Sequence, residues 1–291
     1  MSIAANGAIF ASMSLYITSL NSGSNGNCYY IANDTEAVLV DAGLSCRETE
    51  KRMRRLDLSM DKVKALFISH EHGDHIRGVE SIAAKHKLPV YITAETFRQS
   101  KLRIDSSRVF SFQAYTSIHI GGLSVMAFPK FHDAIDPHSF VISGNGVKVG
   151  VFTDIGATCS HVIDNFSECH AVFLEANYDA DMLENGRYPY HLKKRIRGGH
   201  GHLSNTEALE LFLAHRPGFL SHLLLSHLSK DNNDPDLALR MFTAHARNTN
   251  VVVASRYEES AIYHITDTQH PFRKPVVHRP APPKAVQISL F

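Results

Sequence analysis

Apolar residues in this chain gather in short runs, and several of those runs stop at an aspartate or a histidine. Residues 15–20, 37–40, 65–69, 123–128, 147–152 and 221–225 are four to six residues long and bounded by glycine, proline or polar positions. Such runs read as buried strands. Helical periodicity recurs over 45–56, 75–86, 204–215 and 235–247. Ser45 with Glu48, and Ser204 with Glu207, are placed as capping boxes for two of these helices. The order is βαβ-like, with more strands than a doubly wound sheet uses, so an α/β (α+β) fold of two strand-rich halves backed by helices is expected.

Composition narrows the class without choosing a function. The chain has 291 residues, a formal net charge of +1 and 44% hydrophobic positions, as an ordinary globular protein does. No overall basic excess advertises nucleic acid. Two local basic segments stand out, Lys51 to Arg55 and His191 to Arg197. The first reads as a solvated helix face; the second leads toward Gly201-His202 and could guide an anionic backbone. Four scattered cysteines, Cys28, Cys46, Cys159 and Cys169, fit reduced thiols. Residues 1–13 lack the basic and apolar regions of a signal peptide, and no run reaches the ~20 apolar residues of a membrane span. A cytoplasmic protein without membrane association is expected. Its organisation is expected to be an N-terminal extension (1–13), a catalytic domain (14–268) and a proline-rich tail (269–291).

The chemistry is concentrated in one hexapeptide, His70-Glu71-His72-Gly73-Asp74-His75, directly after the apolar run 65–69. Imidazole and carboxylate are ligand types for zinc, manganese or iron. Alternate residues of an extended segment point the same way, so His70 and His72 can reach one ion together. Asp74 and His75 project elsewhere as the chain turns and can serve a second ion, while Glu71 points away and reads as structural. Further donors stand at other run ends: Asp41, His132, Asp154 and His227. Two ions about 3.5–4 Å apart can stabilise both the attacking and the leaving oxygen of a displacement.

These residues in this order resemble the metallo-β-lactamase-fold hydrolases. The resemblance implies a four-layer αβ/βα sandwich, with His70, His72 and His132 on one metal, Asp74, His75 and His227 on the other, and Asp154 bridging. Asp41 would orient ligands rather than bind metal. His132 is preferred over its neighbours His119, which sits inside a strand-like run, and His138, which follows a proline. Ser22 to Cys28, His132-Asp133-Ala134, Glu175 to Asp179, Gly201 to Asn205 and His227-Leu228-Ser229 resemble the YycJ/WalJ-type bacterial proteins, related in metal core to RNase Z and RNase J. That resemblance covers roughly residues 14 to 268. The stretch between Asp154 and His227 is too short for the large extra domain of RNase J.

The activity expected from this resemblance is that of a metal-dependent phosphodiesterase, a DNA exonuclease of 5′-to-3′ polarity in repair or replication. It would use two divalent ions, zinc or manganese. Asp74, Asp154 and His202 are its expected catalytic residues. His202, Ser204 and Asn205, at a helix N-terminus suited to anions, are expected to hold phosphate. The Ser22–Asn27 segment would line the cleft through backbone amides or form a plain hairpin turn. The tail ends Gln287-Ile288-Ser289-Leu290-Phe291, similar to the peptides by which bacterial polymerases and repair proteins dock on the sliding clamp. A short apolar anchor on a proline-rich tether suits such docking and favours DNA as substrate. The alternatives are a ribonuclease or a small (thio)ester hydrolase on the same core, and a non-catalytic clamp-tethered metal protein.

Overall fold

The computed structural model describes residues 14–267. The expected N-terminal extension and the tail with residues Gln287 to Phe291 lie outside them. Six strands open the first sheet: β1 (Ser14–Asn21), β2 (Cys28–Ala32), β3 (Ala37–Val40), β4 (Val63–Phe67), β5 (Val90–Tyr91) and β6 (Val109–Phe110). The second contains β7 (Ser117–Ile120), β8 (Leu123–Pro129), β9 (His138–Gly144), β10 (Val147–Phe152), β11 (Ala171–Glu175), β12 (His222–Ser226) and β13 (Asn250–Val253). The last strand, β14 (Tyr263–Thr266), returns to pair antiparallel with β1. Each sheet thus has seven strands, antiparallel at one side and parallel at the other. In the first the parallel part is β3-β4-β5-β6; in the second it is β10-β11-β12-β13.

The sheets face each other across one core. Tyr29 meets Phe173 at 4.9 Å between ring centroids, and Phe67 meets Phe140 at 5.8 Å. Period-2 geometry sends the alternate residues outward: Tyr29 and Ile31 join the inter-sheet core, while Cys28, Tyr30 and Ala32 join an outer cluster. That outer cluster packs under α1 (Cys46–Arg55), α2 (Gly73–Ile76), α3 (Val79–His86) and α4 (Ala94–Ser100). The second sheet's outer face carries α5 (Ser160–Phe166), α8 (Asn205–His215) and α9 (Pro235–Thr243), with α6 (Ala180–Asn185) and α7 (Tyr190–Ile196) between α5 and α8 in the chain. Helix, sheet, sheet, helix is the four-layer architecture. Because both faces are covered, β2, β3 and β11 are buried at every position, as in parallel sheets generally.

Local signals explain the helix limits. Ser45 accepts from Glu48 N–H to start α1, and Ser204 with Glu207 forms a full capping box on α8. Asp234 caps α9, with Pro235 in its first turn. The helix expected over 75–86 is broken instead into α2 and α3. Gly78 lies at the break, where a Cβ would come within 1.9 Å of Leu44 O. The helix expected to reach 247 stops at Thr243. Cys28, Cys46, Cys159 and Cys169 are all free thiols. Among the described residues no helix is long and apolar enough to cross a membrane.

Candidate metal centre

The C-terminal ends of β3, β4, β10, β11 and β12 open onto one cleft between the sheets, and the chemistry of the chain meets there. This is the edge at which parallel strands of open α/β sheets present ligand-binding residues. Ile68 N–H bonds Tyr91 O, carrying β4 pairing just past its end. His70 and His72 come next, and His132 arrives from the loop after β8. His70 Nε2 lies 3.1 Å from His72 Nδ1, and His132 Nε2 lies 3.3 Å from the same atom. These three form one group of converging donors.

Asp74, His75 and His227 form a second group. His227 Nε2 is 3.4 Å and His75 Nε2 is 3.6 Å from Asp74 Oδ2. Asp154 stands between the groups. Its Oδ2 is 3.1 Å from His75 Nε2, its Oδ1 3.5 Å from His227 Nδ1 and 3.9 Å from His132 Nε2. Asp154 is 2% exposed and its Oδ2 has the buried His75 ring as a neighbour in place of water, a carboxylate setting that a cation also satisfies. The donor set of imidazoles and carboxylates therefore fits divalent ions.

Three of these positions have unusual backbones. Asp41, Asp154 and His227 have φ of +59°, +54° and +57°, a region sparsely used by residues other than glycine. Such strain is typically about 1–3 kcal/mol per residue and persists where surrounding structure enforces it. Each ends a buried strand, so the turn redirects the side chain from the sheet into the cleft.

A layer of hydrogen bonds holds the rings. Asp41 Oδ1 accepts from Ser69 N–H at 2.8 Å, and its Oδ2 accepts from Ser69 Oγ at 2.9 Å. The same Oδ2 lies 2.7 Å from His75 Nδ1. The contact turns His75 Nε2 toward the cleft. His132 Nδ1 donates to Gly201 O at 3.0 Å, which frees Nε2. Glu175, the last residue of β11, lies 2.8 Å from His202 Nδ1 and 3.1 Å from His227 Nδ1. Its other oxygen accepts from Ile155 N–H at 2.7 Å and Leu203 N–H at 3.2 Å. Glu175 opens one of the segments that carry the family resemblance, but nothing in its spacing assigned it to the site.

Electrostatics divides the cleft. Burial pushes His70 well below its ordinary range and takes His132 down to about 3, so both rings are neutral donors. At the other pole burial is outweighed. Against it, His75 and His227 hold Asp74 at about 2, and Asp154 with Asp74 and Glu175 lifts His227 to about 10. His75 is likewise raised well above its usual value by Asp154, Asp41 and Asp74 despite full burial. The charge those protons supply is what a bound dication brings, so metal binding and proton release are linked.

The remaining expected site residues divide clearly. His202 borders the cleft, with Nδ1 3.7 Å from Asp154 Oδ1. Ser204 is 5% exposed and its hydroxyl lies within the cap, donating to Glu207 at 2.7 Å. Asn205 is 1% exposed, and its amide pairs reciprocally with that of Asn233, both bonds 2.9 Å. This geometry corrects the expectation of direct phosphate contacts from Ser204 and Asn205: their polar groups are already paired inside the joint between α8 and the loop before α9. The Ser22–Asn27 segment does reach the site, but through side chains. Asn27 Nδ2 sits 3.2 Å from Asp74 Oδ2 and 3.0 Å from His75 Nε2, and Ser22 Oγ accepts from His227 N–H at 2.7 Å. Its amides at Ser22, Gly23, Gly26 and Asn27 are already engaged, with Ser255 O, Asn27 Oδ1, Gly23 O and Asp74 O.

Glu71 lies apart from the donors and accepts from Ile135 N–H at 2.9 Å. His119 is exposed on β7, and His138 bonds Asp136 O at 3.0 Å, so neither joins the donor groups. The basic segment 191–197 lies largely on α7, where Arg195 Nε donates to Asp133 beside His132. In the 51–55 segment, by contrast, Arg52 is buried and bonds Leu20 O and Asn21 Oδ1, so that segment is not a uniformly solvated face.

Similarity to known proteins runs along the same lines. The family model described as a beta-lactamase superfamily domain matches residues 36–228. An exodeoxyribonuclease YycJ of Bacillus anthracis is 34% identical over 78% of this chain and 87% of its own. An exodeoxyribonuclease WalJ of Streptococcus pneumoniae is 31% identical over 75% and 83%. In fold, the chain is similar to the metallo-β-lactamase-fold protein YhfI of Bacillus subtilis, with a TM-score of 0.65 at 17% identity, over 86% of this chain and 99% of that one. With its strand-end donors gathered in one cleft, the chain belongs to the beta-lactamase superfamily and, inside it, to the YycJ/WalJ branch of metal-dependent hydrolases.

Proposed function

We propose that this protein is a two-metal DNA exonuclease, acting 5′-to-3′ in DNA repair or replication. The observation that carries the reading is the pair of donor groups joined by Asp154 in a single cleft. The similarity to exodeoxyribonucleases over most of both chains supports DNA among the substrates such a core can serve.

Zinc or manganese, when bound, supplies Lewis acidity and lowers the pKa of water toward neutrality. His70, His72 and His132 would hold one ion through neutral rings, and Asp74, His75 and His227 the other, with Asp154 between them. Asp41, Glu175 and the Gly201 carbonyl keep those rings in the required orientation. His202, fixed at Nδ1 by Glu175, keeps Nε2 for a phosphate oxygen or for proton delivery to the leaving oxygen. Ser204 and Asn205 support it indirectly by anchoring the start of α8. The basic face of α7 would guide the strand toward the cleft. The tail peptide Gln287 to Phe291 is proposed as a sliding-clamp anchor on sequence grounds alone; deleting it should abolish clamp binding and leave cleavage of short oligonucleotides unchanged.

The test is hydrolysis of end-labelled single-stranded DNA and RNA of matched sequence. Metal-free protein would be compared with protein given zinc or manganese, with Asp74→Ala as control. Metal-dependent shortening of DNA from its 5′ end, absent in the variant, is expected. Cleavage of RNA alone would reassign the protein to RNA processing. Turnover of acyl-thiol esters with neither nucleic acid cleaved would overturn the nuclease reading.

A further inference from the structure

Beside the metal centre lies a cavity of about 280 Å³ whose lining includes Ser22, Leu228, Lys230, Val253, Arg256 and Tyr257. Two lining residues adjoin the site. Leu228 comes directly after His227, and Ser22 Oγ accepts the His227 N–H at 2.7 Å. The walls are tied to the same scaffold: Ser22 N–H bonds Ser255 O at 3.1 Å, Ala254 N–H bonds Leu225 O at 2.8 Å, and Asn25 Nδ2 bonds Arg256 O at 2.7 Å.

The cavity combines an apolar surface with positive charge. Arg256 Nη1 is buried and has no hydrogen-bond partner. Leaving such a donor unpaired is unfavourable, and an anion entering the cavity would pair it. Three carboxylates of the adjoining segments are already engaged. Asp231 accepts from the Tyr188 hydroxyl at 3.0 Å, Asp234 from Leu237 N–H at 2.8 Å, and Glu259 from Arg55 Nε at 2.6 Å. Glu258 is exposed. Lys230 adds a second cation, and Tyr257 is 70% exposed, with the Arg256 guanidinium 5.9 Å from its ring centroid. Apolar walls, an aromatic platform and cations at the mouth are what a nucleotide of single-stranded nucleic acid requires.

We propose that this cavity is the subsite for the nucleotide adjoining the scissile phosphodiester. The base packs against Leu228 and Val253 and stacks on Tyr257, and Arg256 with Lys230 meets the neighbouring phosphate. The assignment rests on the nuclease reading above and deepens it, placing strand recognition on the segment after β13 rather than on the metal ligands.

The experiment measures binding of a labelled single-stranded oligothymidylate to the full-length chain by fluorescence anisotropy, in an Asp74→Ala background where hydrolysis is arrested. A strand of the same length lacking its bases serves as the comparison. The intact strand should bind more tightly than the base-free strand. Tyr257→Ala should remove that advantage, weakening the intact strand by about tenfold or more and leaving the base-free strand unaffected. Arg256→Gln should weaken both. Tyr257 is too exposed for its truncation to unfold the chain, so an unchanged intact-strand affinity in Tyr257→Ala would overturn the subsite. Equal affinity for both strands before any subsite substitution would overturn it as well. Should the unsubstituted enzyme cleave DNA while either of those results holds, the subsite alone fails. Should it neither bind nor cleave DNA, the nuclease reading fails and takes the subsite with it.

Discussion

Asp41 and His75 are both fully buried, and their Oδ2 and Nδ1 atoms stand 2.7 Å apart although 34 positions separate them in the chain. The contact fixes which nitrogen of His75 faces the cleft. It also sits inside a set of bonds in which Asp41 positions the Ser69 backbone from which the His70–His75 segment departs.

Asp41→Asn therefore tests orientation separately from ligation. Asparagine tolerates the positive φ of this position but cannot accept at both side-chain atoms. Metal affinity should fall about 10- to 100-fold, the usual range for partners that orient a ligating histidine, with the fold retained. A metal titration together with circular dichroism would check both parts.

Gly43→Ala probes the same segment from its other side. A Cβ there would lie 1.7 Å from Asp74 O and 2.6 Å from Asn27 N, where Asn27 N–H now bonds that carbonyl at 2.7 Å. Either Asp74 or Asn27 must move. A stability loss of about 1–3 kcal/mol, as for other overpacked positions, is expected together with weaker metal binding. Denaturant unfolding with and without metal would separate the two effects.

Asp74→Ala should lower metal-dependent turnover by more than about 100-fold, beyond the 10- to 100-fold typical of residues that only orient ligands. Chelation should also lower the melting temperature of the unsubstituted protein. Ions that bind only the folded state stabilise it by about 2.7 kcal/mol when present at 100 times their Kd. An unchanged melting temperature after complete chelation would argue against a preformed centre.

A pH prediction comes from a site remote from the metals. Glu50 on α1 lies 2.6 Å from Lys85 Nζ and 2.8 Å from His86 Nε2. Those partners, Lys85 foremost, lower its carboxyl from 4.5 to about 2 against the effect of burial. A depressed carboxylate stabilises the fold above its unfolded pKa and loses that contribution as pH falls toward its folded value. Between pH 4.5 and 2, the melting temperature of the unsubstituted protein should thus fall more steeply than that of Glu50→Gln. Parallel curves would show that the pairing contributes nothing.

Much of this molecule can be read from local pattern. Capping at Ser45 and Ser204 involves atoms three residues apart, and the strands before Asp41, His70, Asp154 and His227 are apolar runs that only burial explains. The break between α2 and α3 is not local in this sense. It depends on Leu44 O approaching Gly78, a contact made only when the loop after β3 packs against the loop after β4.

The amino-acid sequence by itself determined the donor types, their placement at strand ends and the layered architecture, because periodicity and side-chain chemistry act over a few residues. Tertiary structure alone decided which groups remain available. It closes His132 Nδ1 onto Gly201 O and leaves Nε2 facing the cleft. It consumes the amides of Asn205 and Asn233 on each other, and it sets Glu175 between His202 and His227. Ser22 supports His227 across 205 positions of chain. Contacts of that span arise from two sheets closing on a common core, and no short-range preference encodes which polar atom will find its partner there.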